Sequence, residues 1–525
     1  MKKHLLLSLT LGAAFTMAKA QTPEWSTDIA PILNNKCASC HRSGGIAPFS
    51  LIGYAAASSQ PGIVAEVLSK RMPPWPPDPS FNRLAHERLL SKQEIDKIVA
   101  WANNGKPQGD PTLAPPDPLF SANGDLPGTP SLITKIPMYT STATTGDVYQ
   151  CFVIPSGQLT DKYITAFEAL PGNRPIVHHV LVYADTTGKC AGFDAASSGP
   201  GYPSFGGVGH NDVTMLGGWV PGTTPIKMPN GFGIRIPKNA DIVIQIHYPA
   251  GSATQADSTQ IRFFFASSPV RQVKIDPVLN HISNIDQPLF IPANTTKTFT
   301  ETFPIPAFAG DFSILGVAPH MHMIGKTINA FAVKPNNDTI KFINIKDWNF
   351  HWQGFYSLRK ITKVPGGSTL YSKAFYDNTT NNPNNPSNPP KDVQLGEETT
   401  DEMMLTYFLY TNYQAGDENI VIDTSTPVDL SVGSNYYKGQ VLLQPYPNPA
   451  TNELVVKYHF DQPDNITVDI VDIQGKTVKQ LATNLRVNNG YTAEQYSVSD
   501  LPAGVYTLRM QTSERILTEK IVIQR

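Results

Sequence analysis

The sequence predicts a multidomain, mostly β protein. A small α-helical unit comes first, then two antiparallel β-sandwiches of jelly-roll type, then a small C-terminal β-sandwich. Three observations predict this. The chain has 525 residues, room for about three or four units of ~150 residues each. Only 16% of its residues are charged, while Pro (46) and Gly (38) are plentiful, a turn-rich composition. From about residue 131 onward, short apolar segments alternate with Gly, Pro and Asn turns, and sustained helical periodicity is scarce. A formal net charge of -2 leaves no basic footprint and argues against nucleic acid as a partner.

Residues 1–20 read as a secretory signal. Lys2 and Lys3 precede an apolar stretch from Leu5 to Phe15, and Ala18-Lys19-Ala20 forms a small-residue cleavage site. No later apolar run reaches the ~18 residues of a membrane helix. The mature chain is expected outside the cytoplasm, secreted or held at the cell surface.

Residues 21–110 form the helical unit. Ser26 to Asn34 predicts a short helix leading into Cys37-Ala38-Ser39-Cys40-His41. Cys-x-x-Cys-His is the c-type haem attachment pattern: the thiols bond the porphyrin and His41 ligates the iron. A redox or zinc CxxC is the competing reading, and the adjacent His and the export signal favour haem. Ser91 to Asn103 reads as an amphipathic helix capped by Ser91, with Glu94 three residues on. Residues 111–130 are Pro-rich and predict a semi-rigid spacer.

Residues 131–270 and 271–430 are the two large sandwiches. Tyr149–Ile154, Val177–Tyr183, Ile242–Tyr248 and Gln260–Ala266 read as strands. Residues 378–391 predict a polar, low-complexity loop. Residues 440–525 form the last unit, with strands expected at Glu453–Phe460, Asn465–Ile473, Val505–Met510 and Ile516–Gln524.

Histidines mark the body. Pro319-His320-Met321-His322-Met323 follows the apolar run Phe312 to Ala318. On a strand, side chains alternate faces, so His320 and His322 share one and can grip a single metal ion. His178-His179 lies in a second strand-like segment and His247 in a third. Adjacent strand residues point apart, so a metal shared by His178 and His179 requires a bulge or bend. His210, His281, His351 and His459 read as structural or surface residues, with His351 the one placed for substrate contact beside Trp352. Of the four cysteines, three pairings are possible. With Cys37 and Cys40 committed to haem, Cys151 and Cys190 remain, a pair compatible with a disulfide in an oxidising compartment.

Residues 21–110 resemble a small cytochrome c domain. That family places a Met in a Pro-rich loop as the sixth iron ligand, and Met72 in Arg71-Met72-Pro73-Pro74-Trp75-Pro76-Pro77 matches it, with His86 as the rival. Residues 131–430 resemble the type II copper, ascorbate-dependent monooxygenases, such as the peptidylglycine α-hydroxylating and dopamine β-monooxygenases. The ordered histidines carry this resemblance, together with Gly218-Trp219-Val220-Pro221-Gly222, Gly231-Phe232-Gly233-Ile234 and Asp401-Glu402-Met403-Met404. It implies two copper ions, one held by His178, His179 and His247, the other by His320, His322 and Met403. It also implies a Cys151–Cys190 disulfide. Ala318 and Leu405 depart from the peptide-amidating pattern, while Tyr407 keeps it.

The tail resembles the sorting domain of the type IX secretion system. Its carriers are Tyr446-Pro447-Asn448-Pro449-Ala450, Ile473-Gln474-Gly475-Lys476, Leu501-Pro502-Ala503-Gly504-Val505-Tyr506 and Lys520-Ile521-Val522-Ile523. The expected protein is an exported copper monooxygenase with one covalently bound haem c. Its expected partners are O2, a small organic or peptide-like substrate, an external reductant (ascorbate or a redox protein) and secretion machinery. The alternative is a non-catalytic copper- and haem-binding electron carrier.

Overall fold

The protein is described here by a computed structural model. It describes residues 22–525 except 121–123, 205–206, 222, 429, 431–439, 443–444, 446, 461, 489 and 514–515. The expected signal segment 1–20, Gly222 and Tyr446 lie outside the described residues, as does the side chain of His459.

The N-terminal unit is helical. One turn at Trp25–Ile29 runs into the helix Ala30–Lys36, and Lys92–Asn103 is the longest helix. Its cap is the one the sequence predicts: the Ser91 hydroxyl accepts the Glu94 N–H, and the Glu94 carboxylate accepts the Ser91 N–H at 2.7 Å. Trp25, Ile29, Leu33, Val67, Ile98 and Trp101 make its small core. Residues 75–86 then leave this core and lie along the second large sandwich. Asp78 N–H donates to the Asn344 carbonyl (2.7 Å) and Ala85 N–H to that of Ser357 (2.9 Å). Trp75 meets the edge of Tyr356, and Asp78 pairs with Lys346 at 2.7 Å. These contacts strap the unit to the body.

The body is two sandwiches built on one shared sheet. A nine-stranded sheet runs from Leu132–Lys135 to Tyr356–Val364. A five-stranded sheet covers one half, in the order Tyr202–Pro203, Val148–Pro155, Asp241–Tyr248, His179–Asp185, Val213–Trp219. A four-stranded sheet covers the other, in the order Thr296–Pro304, Thr369–Asp377, Gly325–Val333, Thr339–Ile345. The strand Arg271–Asn280 joins the halves. It pairs parallel to Phe232–Ile236 on one side and antiparallel to Leu405–Asn412 on the other. The division expected near residue 270 therefore falls at a strand that belongs to both.

Each half has its own core. Phe152, Val182, Ile244, Phe167, Ile261 and Phe263 pack in the first, and Phe299, Ile328, Tyr376, Ile314, Val317 and Phe408 in the second. The expected polar loop is locally organised. Asn378, fully buried, donates to the carbonyls of Ile291, Pro292 and Lys391. The C-terminal unit holds the expected strands at Glu453–Phe460, Asp464–Val471, Gly504–Gln511 and Ile516–Ile523, around Leu454, Ile466, Leu508 and Ile521. Strands Thr477–Val487 and Gly490–Ser497, not anticipated, complete its two sheets. Among the described residues no helix is long and apolar enough to cross a membrane.

Candidate metal centre

The strand Asp241–Tyr248 places the first cluster. Ile242, Ile244 and Ile246 enter the core, so alternation sends Val243, Gln245 and His247 to the opposite face. Antiparallel register sets His247 directly across from His179. The bend that His178 requires is present: a turn at Arg174–Ile176 precedes it, and the strand starts only at His179. His178 N–H donates to the His247 carbonyl at 2.9 Å. The ligating atoms of His178, His179 and His247 consequently lie within 4.8 Å of one another.

The chemistry of this cluster suits a metal. Nδ1 of His178 and both ring nitrogens of His247 are buried without a properly formed hydrogen bond. Burial, reinforced by the neighbouring imidazoles, holds His178 down at about 3 and His179 well below its ordinary value. They are neutral at physiological pH, the form that ligates. Tyr149 stacks on His247 at 4.3 Å between ring centres. The Asp147 carboxylate lies 3.1 Å from His247 Nε2 and accepts from Thr399 of the second sandwich at 3.0 Å. Burial pushes Asp147 up, but the close approach of the His247 ring and the hydrogen bonds from Ala250 and Thr399 outweigh this and hold it at about 2.

The second pair sits where a strand ends. His320 is the last residue of Phe312–His320, and His322 follows in the turn. Met321 between them is fully buried in the second core, so both histidines face away from it, with ring centres 5.1 Å apart. His322 Nδ1–H donates to the Asp401 carbonyl (3.1 Å), and His320 Nδ1–H to the Gln353 side-chain oxygen. That tautomer leaves each Nε2 with a free lone pair. Burial keeps both neutral, His320 at about 4 and His322 at about 3.

Glu402 organises the backbone here. One of its oxygens accepts the N–H of His322 (2.8 Å) and of Met403 (3.3 Å), and the other accepts that of Ile324 (2.8 Å). Met403 and Met404 separate cleanly. Met404 is fully buried in the second core, and its backbone meets His281 Nδ1. Met403 lies outside that core, and its carbonyl accepts from Tyr376 at 2.7 Å. Phe350 stands between the clusters, stacked on His178 at 5.0 Å and edge-on to His322 at 5.8 Å.

The haem motif opens onto the same region. Cys37, Cys40, His41 and Met72 line a cavity of about 750 Å³ whose far wall includes His178, His351 and Trp352. Both thiols are free. His41 Nδ1–H donates to the Phe49 carbonyl at 3.2 Å, leaving Nε2 available. Two thiols, a correctly tautomerised imidazole and a thioether on a largely apolar wall fit a covalently attached haem. His86, the rival ligand, is exposed and bound through its N–H to Asp423.

The expected disulfide is absent. Cys151 and Cys190 are free thiols in one small buried cluster. The sulfurs turn to different partners, Cys151 to the Gly207 carbonyl at 3.8 Å and Cys190 to the His210 ring at 3.4 Å and the Val208 carbonyl at 3.8 Å. Burial pushes the thiols up to about 12 and 11. Asp185, Cys190 and His210 also bring ligating atoms within 4.8 Å. There His210 Nδ1 accepts the Asp212 N–H, so Nε2 carries the proton and offers no lone pair.

Sequence reasoning missed Gln353, Phe350, Asp147 and Tyr149, and saw Glu402 only as part of a motif. Asp147 and Tyr149 bracket the start of a recognised strand; for Gln353 and Phe350 no local pattern exists.

Residues 279–427 match the copper type II ascorbate-dependent monooxygenase C-terminal domain. The matched span contains His320, His322 and Met403 and indicates an oxidoreductase of the copper monooxygenase type. Residues 444–524 match the secretion system C-terminal sorting domain. The protein is therefore exported by type IX secretion to the cell surface or beyond. The Cys-x-x-Cys-His segment and the all-histidine cluster lie outside both matches. Solved structures resemble the chain only slightly. PNGase F, a glycosylasparaginase from Flavobacterium meningosepticum, is 9% identical at a TM-score of 0.25, covering 54% of this chain and 97% of its own. The β-glucuronidase of Parabacteroides merdae is 10% identical at a TM-score of 0.13, covering 44% of this chain. This chain spans 28% of that enzyme's length. Likenesses this weak bear on neither fold nor chemistry.

Proposed function

We propose that the protein is a copper-dependent monooxygenase that hydroxylates a C–H bond of an organic substrate, with electrons relayed through its own c-type haem. One observation carries the reading: a single cavity has the Cys-x-x-Cys-His segment on one wall and His178 on another. In the proposed assignment His178, His179 and His247 hold one copper ion, His320, His322 and Met403 hold the second, and Cys37, Cys40, His41 and Met72 hold the haem. When bound, copper supplies O2 chemistry and haem supplies one-electron transfer.

The chain's own residues then divide the work. Hydroxylation takes one O2, two electrons and two protons, and returns an alcohol and water. A haem held by Cys37, Cys40, His41 and Met72 would supply one-electron transfer in the cavity that His178 also lines, beside the first cluster. Met403 is the only sulfur in the copper ligand set; a soft thioether favours the reduced ion, the form that meets O2. Glu402 holds the His322 and Met403 backbones in one arrangement. Phe350 stands between the clusters, in ring contact with His178 and His322.

The test uses full-length protein matured in a host with c-type haem assembly. Metal and haem analysis should return two coppers and one covalent haem per chain. A product screen with O2 and a reductant should show substrate-dependent O2 uptake with a hydroxylated product. Copper and haem both present, but no substrate-dependent uptake, would replace this reading with the non-catalytic electron carrier.

A further inference from the structure

Beside the main cavity lies a smaller one of about 210 Å³. Ser39 and Cys40 wall both, so the smaller chamber adjoins the Cys40 end of the attachment segment. The rest of its lining is mixed. Phe167, Trp219 and Ile226 give it an apolar side, and Arg42 and Arg174 a cationic one.

Uncommitted cations outweigh uncommitted acids there. The Arg174 guanidinium has no hydrogen bond or ion pair among the described residues. Arg42 spends its Nε–H on the Ser39 carbonyl at 3.1 Å and keeps its other donors. Arg88, on the same wall, already overlies the Trp75 ring at 5.8 Å. Of the two acids, Glu168 is committed to the Arg262 guanidinium at 3.0 Å and the Asp125 N–H at 2.5 Å. Asp125 is exposed, so water screens its carboxylate. Burial, with repulsion from Arg42, pushes Arg174 below its ordinary value. An anion held between the two guanidiniums relieves that repulsion and meets donors shaped for oxyanions. A bare inorganic oxyanion leaves the aromatic side uncovered. A flat organic anion covers both sides.

We propose that the smaller chamber binds a small organic anion that serves as the external reductant, with Arg42 and Arg174 as its charge partners. This rests on the haem reading above, because the chamber's other wall is the Cys40 end of that site. The class that fits is an enediolate: flat, hydroxyl-bearing and singly charged at neutral pH. Losing one electron and one proton turns an enediolate into a radical anion; ferric haem is the one-electron acceptor and solvent takes the proton.

The experiment titrates full-length, fully reduced, oxygen-free protein with ascorbate, so that binding is read without electron transfer. Calorimetry should show saturable binding that weakens with added salt. Arg174→Gln should raise the dissociation constant by about 10-fold or more, the worth of a charge-assisted hydrogen bond. Arg42→Gln should raise it by less, and Arg174→Lys should recover part of the loss. Starting from oxidised protein, the rate of haem reduction should fall in parallel with ascorbate as donor and stay unchanged with neutral hydroquinone, a control that a misfolded variant fails. Salt dependence and phosphate competition in the unchanged protein do not depend on any variant folding. Binding that ignores both arginines would overturn the assignment, and so would phosphate displacing ascorbate at equal concentration, the mark of an inorganic oxyanion site. Covalent haem without saturable ascorbate binding would overturn this inference alone. No covalent haem in the unchanged protein would overturn the haem reading and this inference together.

Discussion

The two histidine clusters use the same side chain and are built in different ways. The all-histidine cluster is written into a β ladder. His179 and His247 are paired residues of one sheet, and His178 is held by a backbone hydrogen bond to His247. It can be displaced only by slipping the sheet, which would turn Ile242, Ile244 and Ile246 out of the core. The His320–His322 pair straddles the end of its strand and rests on the distant segment that carries Asp401 and Glu402. What unites those segments is a buried carboxylate, Glu402, accepting backbone N–H groups from both. The first cluster is therefore as stable as the sandwich itself. The second depends on one buried side chain, Glu402.

The largest expected effect comes from exchanging the clusters' distinguishing ligands. Met403→Ala should abolish turnover and carbon monoxide binding to the reduced protein, with the other copper retained. His247→Ala should leave carbon monoxide binding intact but stall the second electron, giving peroxide or very slow product. Copper stoichiometry, carbon monoxide infrared spectra and product yield separate the two, and full activity in Met403→Ala would return the choice to Met404.

A smaller effect tests the carboxylate clamp. Glu402→Gln leaves one acceptor oxygen where two served, so a backbone N–H now faces an amide NH2. Copper affinity at the His320/His322/Met403 cluster should fall by about 10–100-fold, the usual cost of losing a group that orients ligands. Affinity at the all-histidine cluster should not move. Equal loss at both, measured by competition with a copper chelator, would mean the clamp supports the whole body.

The smallest effect concerns stability away from both clusters. Glu301 is fully buried on the strand Thr296–Pro304, and neither carboxyl oxygen has a partner among the described residues. Burial, with Asp286 adding repulsion, pushes it up from 4.5 to about 9. Because the folded value is raised, the unfolded chain ionises first. Stability should be fully present below about pH 4.5 and decline as pH rises toward about 9. Glu301→Gln should flatten that slope and raise the melting temperature at pH 8, with the gap closing toward pH 4.5. An identical pH slope in both proteins would show that Glu301 is ionised in the fold.

Local chemistry was legible because it repeats at short range. The Ser91–Glu94 capping box, the strands at Asp241–Tyr248 and Gln260–Phe265, and the apolar run into His320 each rest on neighbours within a few residues. Face alternation predicted that His320 and His322 would lie together, and they do, although the strand ends between them. The Cys151–Cys190 bond was expected because the two cysteines were left over, yet sulfur direction is set by what surrounds each thiol, and here the Gly207 carbonyl faces one while the His210 ring and the Val208 carbonyl face the other.

Sequence by itself determined the donors: imidazoles at His178, His179, His247, His320 and His322, a thioether at Met403, and thiols beside His41, since ligand chemistry belongs to the residue type. Only the tertiary structure decided which donors meet. Register between strands far apart in the chain places His247 on His179. The shared sheet, through Arg271–Asn280, sets the two sandwiches side by side. The strap at residues 75–86 docks the N-terminal helical unit on the body, so that His41 and His178 line one cavity. Those meetings depend on packing between segments well separated in the chain, and no periodicity within a segment encodes them.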